Sequence, residues 1–165
     1  MVGDAQNLER ISLDDIPQGV GVLTFMINRS AEILKAEVNR TLRAEPDVNL
    51  VGWRVFLGLS RVESATQKEL VNFTRTEQAQ LSKVLKQMED RGLVTSRPSE
   101  NDARAKAFAL TDTGHAKHAT LLAPMTEFSQ AIDGALTDDE RLMFVGMCQR
   151  IAAAAELAKS GGDPN

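Results

Sequence analysis

Residues 66–94, TQKELVNFTRTEQAQLSKVLKQMEDRGLV, decide the fold. The segment opens on Thr66-Gln67-Lys68-Glu69, a capping box in which the threonine hydroxyl and the glutamate carboxylate each satisfy a backbone amide at a helix start. This pattern predicts a short helix that runs to about Phe73. A second helix, from about Thr76 to Arg91, follows a short polar turn and ends at Gly92, a residue suited to a left-handed cap. The pair is typical of a helix-turn-helix.

The second helix of this pair has two different faces. Its apolar stripe, predicted to face the core, consists of Leu81, Val84, Leu85 and Met88. The opposite face is small, amide-bearing and basic, and it contains Thr76, Ala79, Lys83 and Lys86, flanked by Gln80, Ser82 and Gln87. Such side chains can enter a DNA major groove, where glutamine pairs with adenine and lysine reaches guanine or a phosphate. A merely solvated helix face has a similar composition, so the helix alone leaves both interpretations open.

The periodicity changes after the glycine. Leu93–Pro98 and Lys106–Leu110 are extended candidates on either side of a polar turn at residues 99–102. A hairpin directly after a helix-turn-helix is a wing. Asp102 lies two residues before Arg104, so the carboxylate could hold the guanidinium in position for a narrow, electronegative minor groove. An ordinary weak surface ion pair is the alternative.

Two helical patterns precede this unit. From Ile16 to about Ala44, apolar residues recur at three- and four-residue steps, and Asp14 and Asp15 lie where a helix dipole favours negative charge. A second, largely buried helix is predicted after Asn49, which is a suitable N-cap.

Two further helical patterns follow the hairpin. The first starts at Thr111 or Thr113 and contains Pro124, which predicts a kink. The second opens on Thr137-Asp138-Asp139-Glu140, another capping box, and continues into an alanine run.

Composition narrows the class of protein. The 165 residues are 42% apolar and 25% charged, the balance of a globular protein. The net charge of -4 argues against a phosphate-binding surface, but residues 50–110 contain ten Lys/Arg against seven Asp/Glu. No apolar run is long enough for a bilayer, and the first residues lack the features of a signal peptide, so a cytoplasmic protein without membrane contact is expected.

Four stretches resemble the MarR (multiple antibiotic resistance regulator) family. They are Glu69-Leu70, the segment 85–94 (LKQMEDRGLV), the segment 101–105 (NDARA) and the segment 110–114 (LTDTG). The family pattern has a recognition helix ending in Leu-Glu-x-x-Gly-Leu-Val, a wing with Asp-x-Arg, and a closing Leu-Thr-x-x-Gly. The motifs run from about Trp53 to Gly114, and the flanking helices match only in layout. Met88 replaces the usual leucine, and Thr74 and Thr76 fall where apolar residues are common.

The resemblance implies a mainly α fold. A winged helix-turn-helix of three helices plus a β-hairpin wing would be flanked by N- and C-terminal helices that form a dimerisation layer. The expected division is a flexible tail at 1–13, a dimerisation region at 14–46 and 111–158, a DNA-binding domain at 47–110, and a flexible tail at 159–165. The homodimer would present two winged helices to a pseudo-palindromic operator in double-stranded DNA.

The resemblance also implies roles for individual residues. Base contacts fall on Gln78, Gln80, Ser82 and Lys83; backbone contacts fall on Thr66, Lys68 and Lys86; Arg104, oriented by Asp102, enters the minor groove. The implied function is a transcription regulator, a repressor released by a small-molecule effector. The alternative is a winged helix used only for protein contacts, against which the basic residues Lys83, Lys86 and Arg104 argue.

Other candidate sites are weaker. Family members often bind a small aromatic effector between the dimer helices and the winged helix, and Phe25, Met26, Trp53 and Phe56 could line such a pocket. Ordinary core packing is the alternative, and it is the more common role for apolar residues at helical spacing. The sequence offers no nucleophile paired with a base and no glycine-rich phosphate loop, so we expect no enzyme and no cofactor.

The sequence also offers few residues for sensing. Cys148 lies among apolar residues of the last helix and is expected to be inert, whereas oxidant-sensing relatives carry their cysteine in the first helix. His115 and His118 stand one helical turn apart, but two histidines alone make a poor metal site, and no metal is expected.

Overall fold

The computed structural model describes residues 16–99 and 104–160. Its elements are α1 (Val22–Leu42), α2 (Leu50–Leu59), β1 (Ala65–Thr66), α3 (Gln67–Thr74), α4 (Gln78–Asp90), β2 (Val94–Pro98), β3 (Lys106–Leu110), α5 (Asp112–Asp133) and α6 (Asp138–Ser160). The fold is mainly helical with one small antiparallel sheet, which confirms the winged helix-turn-helix. The chain divides into two compact units, residues 1–123 and residues 124–165.

Helix α1 begins six residues later than its apolar periodicity predicted. Its N-cap is Gly21, and the preceding residues form a turn in which the amide of Val20 donates to the carbonyl of Pro17. Gly19 has a φ of +83°, which a right-handed helix cannot contain. Apolar spacing alone did not reveal this turn, although Pro17 and Gly19 mark it in the sequence. Asp14 and Asp15 lie outside the described residues.

Helix α2 lies at the centre of the first unit. It begins as predicted after Asn49, whose side-chain oxygen accepts a hydrogen bond from the amide of Gly52 at 2.9 Å. Almost all of its faces are buried, because α2 packs against α1, α3, α4 and β3. The most deeply buried side chains of the unit are Val55, Phe56, Leu59, Leu70, Leu81, Leu85 and Leu121.

Helices α3 and α4 form the predicted helix-turn-helix. The capping box is present at Thr66 and Glu69. Helix α4 starts at Gln78, two residues later than expected, and the placement of Thr76 on its outer face is wrong. Thr76 precedes the helix, so the helical wheel does not apply to it; its side chain is 7% exposed and its hydroxyl donates to the carbonyl of Thr74.

The wing follows α4 directly. Gly92 has a φ of +67°, the left-handed conformation that ends α4, and β2 then pairs with β3 in a register that runs from Val94 opposite Leu110 to Pro98 opposite Lys106. Strand β1 pairs with the other side of β3, which gives the sheet order β1-β3-β2. Two residues are too few to show an alternating pattern, so the sequence did not predict β1. Of the expected turn, residues 100–102 lie outside the described residues.

Helix α5 is attached to the end of α4 by its first turn. The hydroxyl of Thr111 donates to the carbonyl of Gly92 at 2.6 Å and accepts from the amide of Gly114 at 3.0 Å. The amide of Thr111 donates to the carbonyl of Leu93 at 3.2 Å. A Cβ atom on Gly114 would overlap that same carbonyl oxygen. The Leu-Thr-x-x-Gly motif therefore allows a close contact between two backbones.

The second unit contains the end of α5, from Pro124 onward, and α6. Pro124 lies inside α5 and has no amide proton to donate to the carbonyl of Thr120. The second predicted capping box is present. The amide of Thr137 donates to the carboxylate of Glu140 at 2.8 Å, and the amide of Glu140 donates to the hydroxyl of Thr137 at 3.4 Å. Among the described residues, no helix combines the length and the apolarity that a bilayer span needs.

The close approach at Gly114 gives a first prediction. Gly114→Ala should lower the free energy of unfolding by about 1–3 kcal/mol, because the added methyl group has no space beside the Leu93 carbonyl. Gly52→Ala is the matched control. Gly52 also lies in a first helical turn and donates to its cap residue, but its nearest neighbour, a Val48 methyl group, lies at an ordinary 3.5 Å. Denaturant unfolding at fixed protein concentration measures both variants. Equal losses of stability would contradict the proposed role of the contact.

Candidate nucleic-acid interface

The turn between α3 and α4 is held by backbone interactions. Arg75 caps α3 in the left-handed region with a φ of +52°. The guanidinium of Arg54 on α2 donates to the carbonyl of Thr74 at 3.3 Å. Thr74 itself is buried and its hydroxyl has no partner among the described residues. The turn is therefore fixed to the core although polar residues occupy positions that are often apolar.

Helix α4 presents the predicted polar face to solvent. Its apolar stripe is buried as expected, which confirms the orientation of the helix. All five of its candidate DNA-binding residues are exposed: Gln78, Gln80, Ser82, Lys83 and Lys86. The exposed face thus combines amide, hydroxyl and ammonium groups, which can pair with base edges and phosphates.

Three side-chain hydrogen bonds join α4 to its neighbours. Near its start, the amide nitrogen of Gln67 on α3 donates to the hydroxyl of Ser82. Near its end, the hydroxyl of Ser96 on β2 donates to Glu89 at 2.6 Å. Arg91, just after the helix, donates to the carbonyl of Asp47 at 2.6 Å. Sequence reasoning missed all three, because no local pattern signals a contact between residues 7 to 44 positions apart.

A cleft of about 760 Å³ lies between the start of α3 and the base of the wing. Its lining includes Gln78 together with four cationic residues, which are Lys68, Arg97, Arg104 and Lys106. Two carboxylates, Glu63 and Glu69, also line it, and Glu63 pairs with Arg97 at 3.2 Å. Arg104 is exposed at the base of the wing. Its predicted orienter, Asp102, lies outside the described residues.

Thr66 is already hydrogen-bonded to a residue of the helix that it caps. Both its amide and its hydroxyl donate to the carboxylate of Glu69 at 2.7 Å. These hydrogen bonds, the backbone one first, hold the pKa of Glu69 below its ordinary value. Of the three residues predicted to contact the DNA backbone, Lys68 and Lys86 are exposed, whereas Thr66 is half-buried.

Residues 47–105 match the sequence model of the MarR family. The matched segment begins just before α2 and includes the helix-turn-helix and the first strand of the wing. In this segment the chain is similar to the MarR family. Proteins of that family are transcription regulators and not enzymes.

One curated protein and several solved structures are similar to the chain. The chain is 27% identical over 123 residues to the uncharacterized HTH-type transcriptional regulator YwoH of Bacillus subtilis, a match that covers 74% of this chain and 88% of YwoH. The fold resembles that of a MarR family transcriptional regulator from Silicibacter pomeroyi (TM-score 0.67, 23% identity, covering 79% of this chain and 86% of that one). It also resembles BpsR of Bordetella bronchiseptica, whose DNA binding is regulated by 6-hydroxynicotinic acid (TM-score 0.70, 18% identity, 80% and 99% covered).

A cluster of aromatic rings packs around His118. The imidazole stacks on Trp53 with ring centroids 5.6 Å apart and meets Phe56 at 6.0 Å. Its Nε2 atom is buried and has no hydrogen-bond partner among the described residues. Of the four candidate effector-pocket residues, Trp53 and Phe56 are therefore brought together, while Phe25 and Met26 lie half-buried on α1. Sequence reasoning considered His118 as a metal ligand and missed this cluster.

The histidines and the cysteine form no metal site in the part of the chain that the structure describes. Within residues 16–99 and 104–160, no three His, Cys, Asp or Glu side chains are arranged to hold a metal ion. Cys148 is half-buried on α6.

The half-buried imidazole of His118 predicts an acid-sensitive stability. Burial first, and the nearby charge of His115 second, lower the pKa of His118 below 6.5. The unfolded chain therefore binds a proton at a higher pH than the folded chain, and stability should fall as the pH drops below about 6.5. His118→Phe should reduce this loss of melting temperature between pH 7 and pH 5. His115→Gln, which keeps the ring of His118, should retain most of this loss of melting temperature. An unchanged pH dependence in His118→Phe would contradict the assignment.

Proposed function

We propose that this protein is a homodimeric repressor that binds a pseudo-palindromic operator in double-stranded DNA. The observation that carries the proposal is the exposed polar and basic face of α4, which borders a cation-lined cleft while the other face of the helix is fixed in the core. Half-sites about one helical turn apart would follow from a two-fold axis. Such a protein acts where the chromosome is, in the cytoplasm.

The proposed contacts divide into three groups. Gln78, Gln80, Ser82 and Lys83 read base edges in the major groove. Lys68 and Lys86 bind phosphates, and Thr66 joins them if its hydroxyl exchanges Glu69 for a phosphate oxygen. Arg104 enters the minor groove, with Asp102 as its orienting carboxylate. The cleft supports the second and third groups, because it places Lys68 and Arg104 around one cavity.

A second copy of the chain is the proposed partner of the terminal helices. In the single chain, α6 exposes the large apolar side chains Leu142, Met143, Phe144 and Val145, and Leu142 is 73% exposed. Helix α1 exposes Val22, Leu23, Ile27 and Leu34. Monomeric proteins rarely expose apolar surface of this extent, whereas dimer interfaces are built from it.

A small aromatic effector is the proposed signal. The DNA binding of BpsR is regulated by 6-hydroxynicotinic acid, an aromatic acid. In this chain, the rings of Trp53 and Phe56 would suit a planar ligand. The Nε2 of His118, which has no hydrogen-bond partner among the described residues, would suit a hydrogen-bond donor on that ligand. Release of the operator on ligand binding would make the protein a repressor that is relieved by its effector.

A protein-interaction module without DNA binding is the alternative function. It requires no positive charge along α4 and the wing. The exposed Lys83 and Lys86 and the cationic lining of the cleft favour the DNA-binding function instead.

Affinity for the duplex that flanks the gene for this protein, measured at several salt concentrations, tests DNA binding. The logarithm of the association constant should fall linearly with the logarithm of the salt concentration, and Lys68→Ala or Lys86→Ala should each reduce that slope by about 1. Arg104→Ala should weaken binding about tenfold without a change in melting temperature, since a charged hydrogen bond is lost. Arg29→Ala, an exposed arginine of α1, is the control. Absence of specific binding at low salt would overturn the proposal.

The mass of the protein in solution tests the dimer. Leu142→Lys should convert a dimer to a monomer, because it places a charge in an interface that is expected to be apolar. Arg150→Ala changes another exposed residue of the same helix and should leave the dimer intact. Light scattering coupled to size exclusion distinguishes the two masses. A monomeric wild-type protein would rule out the homodimer.

A further inference from the structure

Gln67 connects the first turn of α3 to the exposed face of α4. Its amide nitrogen donates to the hydroxyl oxygen of Ser82, which lies one turn from the start of α4. Gln67 is half-buried and lines the cleft beside Gln78, whereas Ser82 is exposed. The two side chains therefore form one polar unit on the surface that would meet DNA.

This hydrogen bond limits what Ser82 can do. A serine hydroxyl has one proton to donate and two lone pairs that accept. Serine and threonine side chains in helices often donate to the carbonyl four residues earlier, as Thr41, Thr120 and Ser129 do in this protein. In the part of the chain that the structure describes, Ser82 makes no such bond with Gln78. One lone pair is occupied by Gln67, and the proton remains available to donate to a ligand.

We propose that Gln67 determines which base Ser82 reads. This inference rests on the proposed function, in which Ser82 faces a base edge. An unconstrained serine pairs with donors and acceptors alike. With Gln67 donating to one of its lone pairs, Ser82 keeps its proton for the ligand and favours a base that presents an acceptor at that position, such as guanine O6, a purine N7 or thymine O4. The amino group of cytosine is disfavoured there. Gln67 is thus a positioning residue that sets specificity from outside the recognition helix.

The test is a selection of duplexes from a randomised pool by the full-length protein. The best duplex and its single-base-pair variants are then measured one by one. Ser82→Ala should remove the preference at one position of each half-site. Gln67→Ala should weaken the preference at the same position, roughly three- to tenfold as expected for one hydrogen bond, and the double variant should lose no more than Ser82→Ala alone.

Gln67→Glu gives a sharper result because it reverses the hydrogen bond. A carboxylate of nearly the same shape accepts but cannot donate, so the Ser82 hydroxyl would give its proton to residue 67 and offer only lone pairs to DNA. The preferred base at that one position should then change toward cytosine, which presents an amino donor in the major groove. Overall affinity should also fall, because the variant adds a negative charge near phosphates.

Lys68→Ala distinguishes a change in specificity from a general loss of binding. It should lower affinity for all duplexes alike, since a phosphate contact carries no sequence information. Melting temperatures of the variants show whether each is folded. If the wild-type protein enriches a sequence but the Gln67 and Ser82 variants alter different positions, or Gln67→Glu leaves the preference unchanged, the inference is wrong and the proposed function stands. If the wild-type protein enriches no sequence, both are wrong.

Discussion

The contact between Gly114 and the carbonyl of Leu93 is the constraint on which the arrangement of the DNA-binding unit depends. It brings the first turn of α5 against the residues that follow α4, and the hydroxyl of Thr111 closes the junction by bonding Gly92. Because the contact between Gly114 and Leu93 involves main chain on both sides, it tolerates little displacement. A shift in the first turn of α5 would therefore move the end of the recognition helix with it. The same junction fixes where β2 begins, and hence where the wing projects.

Sequence patterns predicted those parts of the fold that depend on neighbouring residues. The two capping boxes, the apolar stripe of α4 and the left-handed Gly92 were all predicted because each is a property of a few consecutive residues. The start of α1 was wrong because apolar spacing continued through a turn that Pro17 and Gly19 impose. The burial of Thr76 was missed for a related reason: a helical wheel assigns a direction to a residue only when that residue is helical.

The sequence predicted which residue types form the candidate site, but not the hydrogen bonds and ring contacts that join them. The residue types on the outer face of α4 follow from its periodicity, and all of its candidate residues are exposed. The bonds from Gln67 to Ser82 and from Ser96 to Glu89, and the stacking of His118 on Trp53, depend on how separate elements meet. Surface hydrogen bonds of this kind add little to stability individually. The bond from Gln67 restricts the orientation of Ser82, a side chain that would meet DNA.

The short strand β1 affects how readily the protein can aggregate at high concentration. A strand at the edge of a sheet offers unpaired backbone groups to which another chain can add, which is a common route to aggregation. Here β3, the most apolar strand, lies in the middle of the sheet. One edge is only two residues long and passes directly into α3, and the other ends in a proline, which has no amide to donate. The wing can thus project from the domain without offering a template for fibril growth.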